Sequence, residues 1–159
     1  MWAKHGMMQR VECMKIVSMN RTHLSAVANL EEECFAHPWS ENSLEDYLNN
    51  PSAYFFVALT ETCEVAGYIG TYIVCDEAYI TNVAVTEKSR RGGIGRELVS
   101  HAADNAERND ASFISLEVRL SNTPAVSLYK SLGFESDGIR PNFYRDPDED
   151  ALIMTKRFK

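Results

Sequence analysis

The stretch TNVAVTEKSRRGGIGRELVSHAADNAER, from Thr81 to Arg108, decides how this chain folds. Its centre, RRGGIGRE, sets Gly92, Gly93 and Gly95 among Arg90, Arg91 and Arg96. The apolar segment before it reads as a strand. After it, Leu98, Val99, Ala102, Ala103 and Ala106 recur on one face of a helix. A strand, a glycine-rich turn and a helix start together make an anion site, because the first amides of a helix lack internal partners and the helix dipole adds positive potential. No Gly-Lys-Ser/Thr follows, so the loop is not a P-loop; Leu98 stands where a dinucleotide fingerprint needs Gly or Ala. What remains is Arg90-x-x-Gly93-x-Gly95. An isolated Gly-x-Gly is also a common surface turn, but the strand, loop and helix context favours an anion site over that reading.

Alternating elements extend outward from this unit. Upstream, AYFFVAL (Ala53–Leu59), VAGYIGTYIV and AYITNVAV read as three strands in series. Before them, THLSAVANLEEECF carries Leu24, Val27, Ala28 and Leu30 at helical spacing, and a second helix follows HPWS with Ser40 as its cap, so two helices are expected to precede the sheet. Downstream, SFISLEVR is a strand, and TPAVSLYKSL is a helix with Thr123 as N-cap, Pro124 in its first turn and Gly133 as its stop. Two strands around the acidic turn RDPDED close the chain. Antiparallel strands flanking one strand–helix–strand unit predict an α/β fold with a mixed, mostly antiparallel sheet. Residues 1–14 show no clear period and are read as an extension; residues 15–159 form one domain.

Composition narrows the classes. The 159 residues carry 45% hydrophobic and 25% charged residues, the make-up of one globular domain. A net charge of -7, from 16 Lys plus Arg against 23 Asp plus Glu, argues against general phosphate-backbone binding and favours basic partners or none. Cys13, Cys34, Cys63 and Cys75 form no C-x-x-C pair and match no histidine spacing, which fits a reducing cytoplasm and no metal site. The longest apolar run is too short to span a bilayer, and no signal-peptide hydrophobic region is present. His5, His23, His37 and His101 are dispersed and belong to no motif. Nothing beside Cys34, Cys63 or Cys75 offers a base for a thiolate nucleophile.

Arg90-x-x-Gly93-x-Gly95 after NVAV, followed by LEVRLSNTPAVSLYKSLGF, resembles the acetyl-coenzyme A signature of the GCN5-related N-acetyltransferases (GNAT). HPWS, LEVRLSN, LYKSLGF and GIRPNFY...EDALIM narrow the resemblance to the bacterial ribosomal-protein-alanine N-acetyltransferase subfamily, RimI. The resemblance implies a cytoplasmic acyltransferase of the single-domain GNAT fold that uses acetyl-coenzyme A as co-substrate, without a metal. It implies a protein N-terminus as acceptor, that of a small-subunit ribosomal protein with a basic N-terminal segment, with no nucleic acid or membrane partner. It places Arg91, Gly92, Gly93, Ile94, Gly95 and Arg96 at the pyrophosphate, Val83, Ala84 and Val85 along the pantetheine and thioester, and Asn122 against the cofactor. Another protein N-terminus, a lysine or a small amine stays open as acceptor, and so does a coenzyme A-binding module without catalysis.

The residues of the second motif carry two readings each. Strand alternation puts Phe113, Ser115, Glu117 and Arg119 on one face, away from Ile114, Leu116 and Val118. Glu117 is then either a solvated carboxylate paired with Arg119 or, as the resemblance implies, the base that takes the acceptor's proton, directly or through water. Tyr129 is either a core aromatic at helical spacing from Ala125 and Leu132 or, in the resemblance, the acid that protonates the departing thiolate. Together those roles describe direct attack in a ternary complex. Trp39 reads as a hydrophobic staple or part of a peptide wall, and Phe143 and Tyr144 share that ambiguity. Carboxylates clustered in NLEEECF, SENSLEDY and RDPDED are either a solvated surface or a negative rim that draws in a basic acceptor, the resemblance placing the first two clusters on the acceptor side.

Overall fold

The computed structural model describes residues 14–159; the extension expected over residues 1–14 lies, apart from Met14, outside them. Strand β1 (Lys15–Ser18) leads through a 3-10 turn (Arg21–His23) into α1 (Leu24–Cys34) and α2 (Glu41–Leu48). The strands β2 (Ala53–Leu59), β3 (Val65–Val74) and β4 (Glu77–Val85) then run as a meander. They are followed by α3 (Ile94–Arg108), β5 (Phe113–Arg119), α4 (Thr123–Ser131), β6 (Glu135–Tyr144) and β7 (Glu149–Arg157). The expectation that two helices come before any strand is corrected by β1. Four residues are too few to show a period, and β1 exists because β2 offers it an edge, with Lys15 opposite Leu59 and Ser18 opposite Phe56.

One seven-stranded sheet results, in the order β1-β2-β3-β4-β5-β7-β6. Every pairing is antiparallel except β4 with β5. Helices cover both faces. On one, Val27, Leu30 and Leu44 from α1 and α2 pack on Phe55, Val57 and Tyr68; on the other, Leu98, Val99, Ala102 and Ala106 of α3 pack on Ile69, Ile80 and Ile114. The run of alanines lets α3 lie close to the sheet, and all five apolar positions expected on its inner face are buried.

The parallel contact is short. β4 and β5 pair only over Glu77–Tyr79 and Phe113–Ser115, so beyond Tyr79 and Ser115 the two strands part. A register shift at Gly70 and Thr71, where β3 meets Asn82 and then Ile80, accompanies the divergence. Val83–Val85 is left with a strand partner on the β3 side alone. The fold thus opens a cleft in the middle of the sheet, beside the glycine loop.

Candidate active site

The loop before α3 is a cradle of free amides. Among the described residues, none of the backbone amides from Arg91 to Arg96 donates a hydrogen bond; the first to do so is Glu97, to Gly93 O at 3.1 Å. Arg91 (φ 67°) and Gly93 (φ 83°) both take left-handed backbone, which turns successive N–H groups toward one side. Gly93 needs its missing side chain for that φ. Gly95 has another reason: a Cβ there would meet Leu128 and Val85 at an ordinary 3.8 and 3.9 Å, so the protein itself leaves room for one. Space kept open beside six unsatisfied donors at a helix N-terminus fits a pyrophosphate approaching the backbone.

Two of the three arginines serve the loop itself. Arg90 donates from Nε to Val85 O at 3.2 Å and from Nη2 to Cys34 Sγ at 3.5 Å, tying the loop to the end of β4; Arg96 Nη2 donates to Ser131 Oγ on α4 at 2.5 Å. Burial pushes the Cys34 thiol up, and no base adjoins it, in line with its reading as a non-nucleophile. Asn122, expected at the cofactor, is the N-cap of α4 in place of Thr123, because Thr123 and Pro124 already occupy the first helical turn. Its Oδ1 accepts from Ala125 N at 3.3 Å, leaving the amide nitrogen of its side chain free to face a ligand.

Across the cleft, Glu117 is not a solvated carboxylate and does not pair with Arg119. Its side chain is 6% exposed, Oε2 accepts the Tyr79 hydroxyl, and Oε1 lies 3.3 Å from Arg140 Nη2. Arg119 turns instead to Glu149 at 3.4 Å, to the carbonyls of Pro147 and Arg145, and over the Tyr144 ring at 4.4 Å. Tyr129 is buried on α4, its ring 5.8 Å from that of Phe134. Burial pushes its phenol up to about 12. Tyr144 is likewise pushed up to about 12, by burial and then by the charge of Glu117, and Tyr79 is raised by burial and its bond to Glu117. The structure therefore gathers Tyr79, Glu117, Arg140 and Tyr144, with Tyr129 close enough to contribute to the raised Tyr144 phenol.

Sequence reasoning missed Tyr79 and Arg140 because only register reveals them. The parallel pairing sets Tyr79 opposite Ser115, one pleat from Glu117, while Arg140 faces Ala151, which faces Arg119. Fully buried Ala151 leaves space for Arg140 to reach across β7.

Glu31 was a further omission. Read as part of an acidic rim, it is 0% exposed and accepts three hydrogen bonds: from the Tyr68 hydroxyl, from Asn82 Nδ2 at 2.7 Å and from the Trp39 amide at 3.0 Å. Burial, and then the Glu31 charge, raise the Tyr68 phenol. Trp39 packs against the cluster that holds Leu44, and its ring stacks on Tyr47 at 4.4 Å and Phe55 at 6.3 Å. Much of the expected rim is similarly engaged. Glu33 accepts from Glu87 N, Glu45 pairs with Arg21, Asp148 with Arg145, and Asp150 accepts from Asn142 N. Glu32, Glu41 and Asp46 remain exposed or partly exposed without an ion pair among the described residues.

His37 Nε2 stands 2.7 Å from Asp146 Oδ2, joining the loop between α1 and α2 to the β6–β7 turn. His23 caps the first 3-10 turn, accepting from Asn20 N, and His101 packs edge-on against Phe56. Among the described residues no three His, Cys, Asp or Glu gather as a metal set, and no helix is long and apolar enough to cross a membrane.

Comparison with known proteins agrees with this geometry. The acetyltransferase (GNAT) family model matches residues 24–134, from the start of α1 to the residue before β6. The [ribosomal protein bS18]-alanine N-acetyltransferase of Escherichia coli (strain K12) is 39% identical over 141 residues, 87% of this chain and 94% of that protein. A crystal structure of the Escherichia coli ribosomal-protein-S18-alanine N-acetyltransferase superposes with a TM-score of 0.82 at 36% identity, covering 91% of this chain and 93% of that one. A chain of the NatC complex bound to Gag peptide and CoA, 21% identical, shares the fold with a TM-score of 0.79 over 92% of this chain and 99% of its own. The chain belongs to the acetyltransferase (GNAT) family.

Proposed function

We propose that this protein acetylates the N-terminal α-amine of ribosomal protein bS18, an alanine, using acetyl-coenzyme A in a ternary complex in the cytoplasm. The observation that carries the reading is the sheltered Glu117 carboxylate, on β5 just past the point where it parts from β4, together with the free amides of residues 91–96. The alanine acceptor rests on the Escherichia coli relative's activity.

Bound acetyl-coenzyme A supplies an activated thioester. The amides of Arg91 to Arg96 hold its pyrophosphate, and the unpaired side of Val83–Val85 lines its pantetheine arm and polarises the acetyl carbonyl. Glu117 takes the proton that the acceptor's ammonium must lose before nitrogen can attack. Tyr129 keeps its proton at every physiological pH, since its phenol stands near 12. Tyr129 offers that proton to the departing sulfur, first as a hydrogen-bond donor and then as the acid.

Mass spectrometry after incubation with acetyl-coenzyme A and a panel of acceptors tests the assignment: alanine-first peptides with basic and neutral continuations, an N-blocked lysine peptide, and spermidine. The alanine-first peptides should be acetylated at the α-amine with the highest kcat/KM. With few carboxylates left free on the rim, the advantage of the basic continuation should be a few-fold and shrink as salt rises. Faster turnover of spermidine or of the lysine peptide would refute the reading.

A further inference from the structure

Both oxygens of Glu117 are occupied. The Tyr79 hydroxyl holds Oε2 and the Arg140 guanidinium faces Oε1, so the cation already beside the sheltered carboxylate is the guanidinium. The two partners are held very differently. Tyr79 stands on β4, in the interior of the sheet, and is half-buried. Arg140 stands on β6, the edge strand, with its side chain 56% exposed. Among the described residues Arg140 has no other polar partner; its guanidinium rests 5.7 Å above the Phe143 ring. Just beyond it the β6–β7 register breaks, between Arg140 and Tyr144.

Resting on the proposed role of Glu117 as receiver of the amine, we propose that the Arg140 guanidinium occupies the place of the acceptor's α-ammonium and is exchanged for it when the acceptor binds. Both groups are N–H donors bearing one positive charge, so the exchange leaves the charge beside the sheltered carboxylate unchanged. The released guanidinium is already half in water and regains hydration at an exposed edge. A neutral acceptor end could not make the exchange, because it would leave Glu117 without a cation. Arg140 is thus a specificity-determining residue: it admits only amines that arrive charged, and it competes with them.

The experiment compares the parent protein with Arg140→Met, which keeps an apolar stem and removes the guanidinium and its charge, using an alanine-first peptide as acceptor. The peptide KM should fall about two- to fivefold, the scale of a partly exposed ion pair. The KM for acetyl-coenzyme A should stay put, while the melting temperature should fall by a few degrees, because the sheltered Glu117 carboxylate loses its cation. Methylguanidinium, competitive with the peptide, should inhibit Arg140→Met more strongly than the parent, since its site is no longer filled. Arg140→Lys should keep the parent peptide KM to within twofold. An unchanged or raised peptide KM in folded Arg140→Met overturns the exchange, even if Glu117→Gln is inactive as the catalytic reading requires. Full turnover by Glu117→Gln overturns that reading and the exchange with it.

Discussion

Replacing Glu31 by glutamine changes two atoms at the most completely buried carboxylate in the described fold, and its effect can be worked from the hydrogen bonds. One oxygen of Glu31 receives Tyr68 and Asn82, the other the Trp39 amide. Glutamine offers one acceptor oxygen and one NH2 group. Turned so that its oxygen keeps Tyr68 and Asn82, it faces Trp39 N–H donor to donor; turned the other way, it loses two partners. The milder outcome removes one charge-assisted bond, about 1.5–3 kcal/mol, and strands a donor, so a total of roughly 2–4 kcal/mol is expected. In a domain of this length that lowers Tm by roughly 5–15 °C. Thermal unfolding followed by circular dichroism or calorimetry reads this directly. A Tm within about 2 °C of the parent would refute the reasoning, for it would mean that the carboxylate's second oxygen does nothing.

Gly95→Val should stay folded, because its Cβ finds ordinary contacts, yet bind acetyl-coenzyme A at least about tenfold more weakly by calorimetry; unchanged affinity would remove the loop from phosphate binding. Glu117→Gln should lower kcat by roughly a hundredfold or more with acetyl-coenzyme A affinity intact, and Tyr129→Phe should lower kcat with little change in either KM, both read by steady-state kinetics; full activity in either would return that residue to packing. Tyr129 and Tyr144 both stand at about 12 in the fold, against roughly 10 in an unfolded chain. Raised phenols contribute stability that is complete below pH ~10 and lost as pH climbs toward ~12, because the unfolded chain sheds its protons first. Tyr129→Phe should therefore show a shallower fall in stability across that window in denaturant titrations.

What the sequence disclosed follows from the range of the interactions. Helix α3 was legible because Leu98, Val99, Ala102, Ala103 and Ala106 repeat locally, and the cradle because glycine marks unusual backbone. Ser40 capping α2 was equally local, its hydroxyl accepting from Ser43 N. The left-handed φ at Arg91 was not legible, since an arginine gives no such mark. The face of Glu117 came from strand alternation, whereas its partners Tyr79 and Arg140 came from neighbouring strands whose register the sequence does not print. Glu31 was misread for the same reason: its donors sit 8, 37 and 51 residues away, and a run of three glutamates looks solvated until one of them is seen to point inward.

The position of the last strand reaches into how the molecule is made. β7 is the last of the described strands in chain order, yet it lies inside the sheet, between β5 and β6, pairing Phe113 with Arg157 and Arg119 with Ala151. Until residues 149–157 have emerged from a ribosome, β5 is a bare edge, β6 has nothing to pair with, and Arg140 and Tyr144 are not beside Glu117. The earlier meander and α3 can form from local contacts during synthesis, but the cleft is completed by a hairpin that closes only at the end. A nascent or C-terminally truncated chain is therefore inert as a catalyst and exposes an unpaired strand, which marks it for chaperones and proteases. The cleft is complete only once residues 149–157 have joined the sheet.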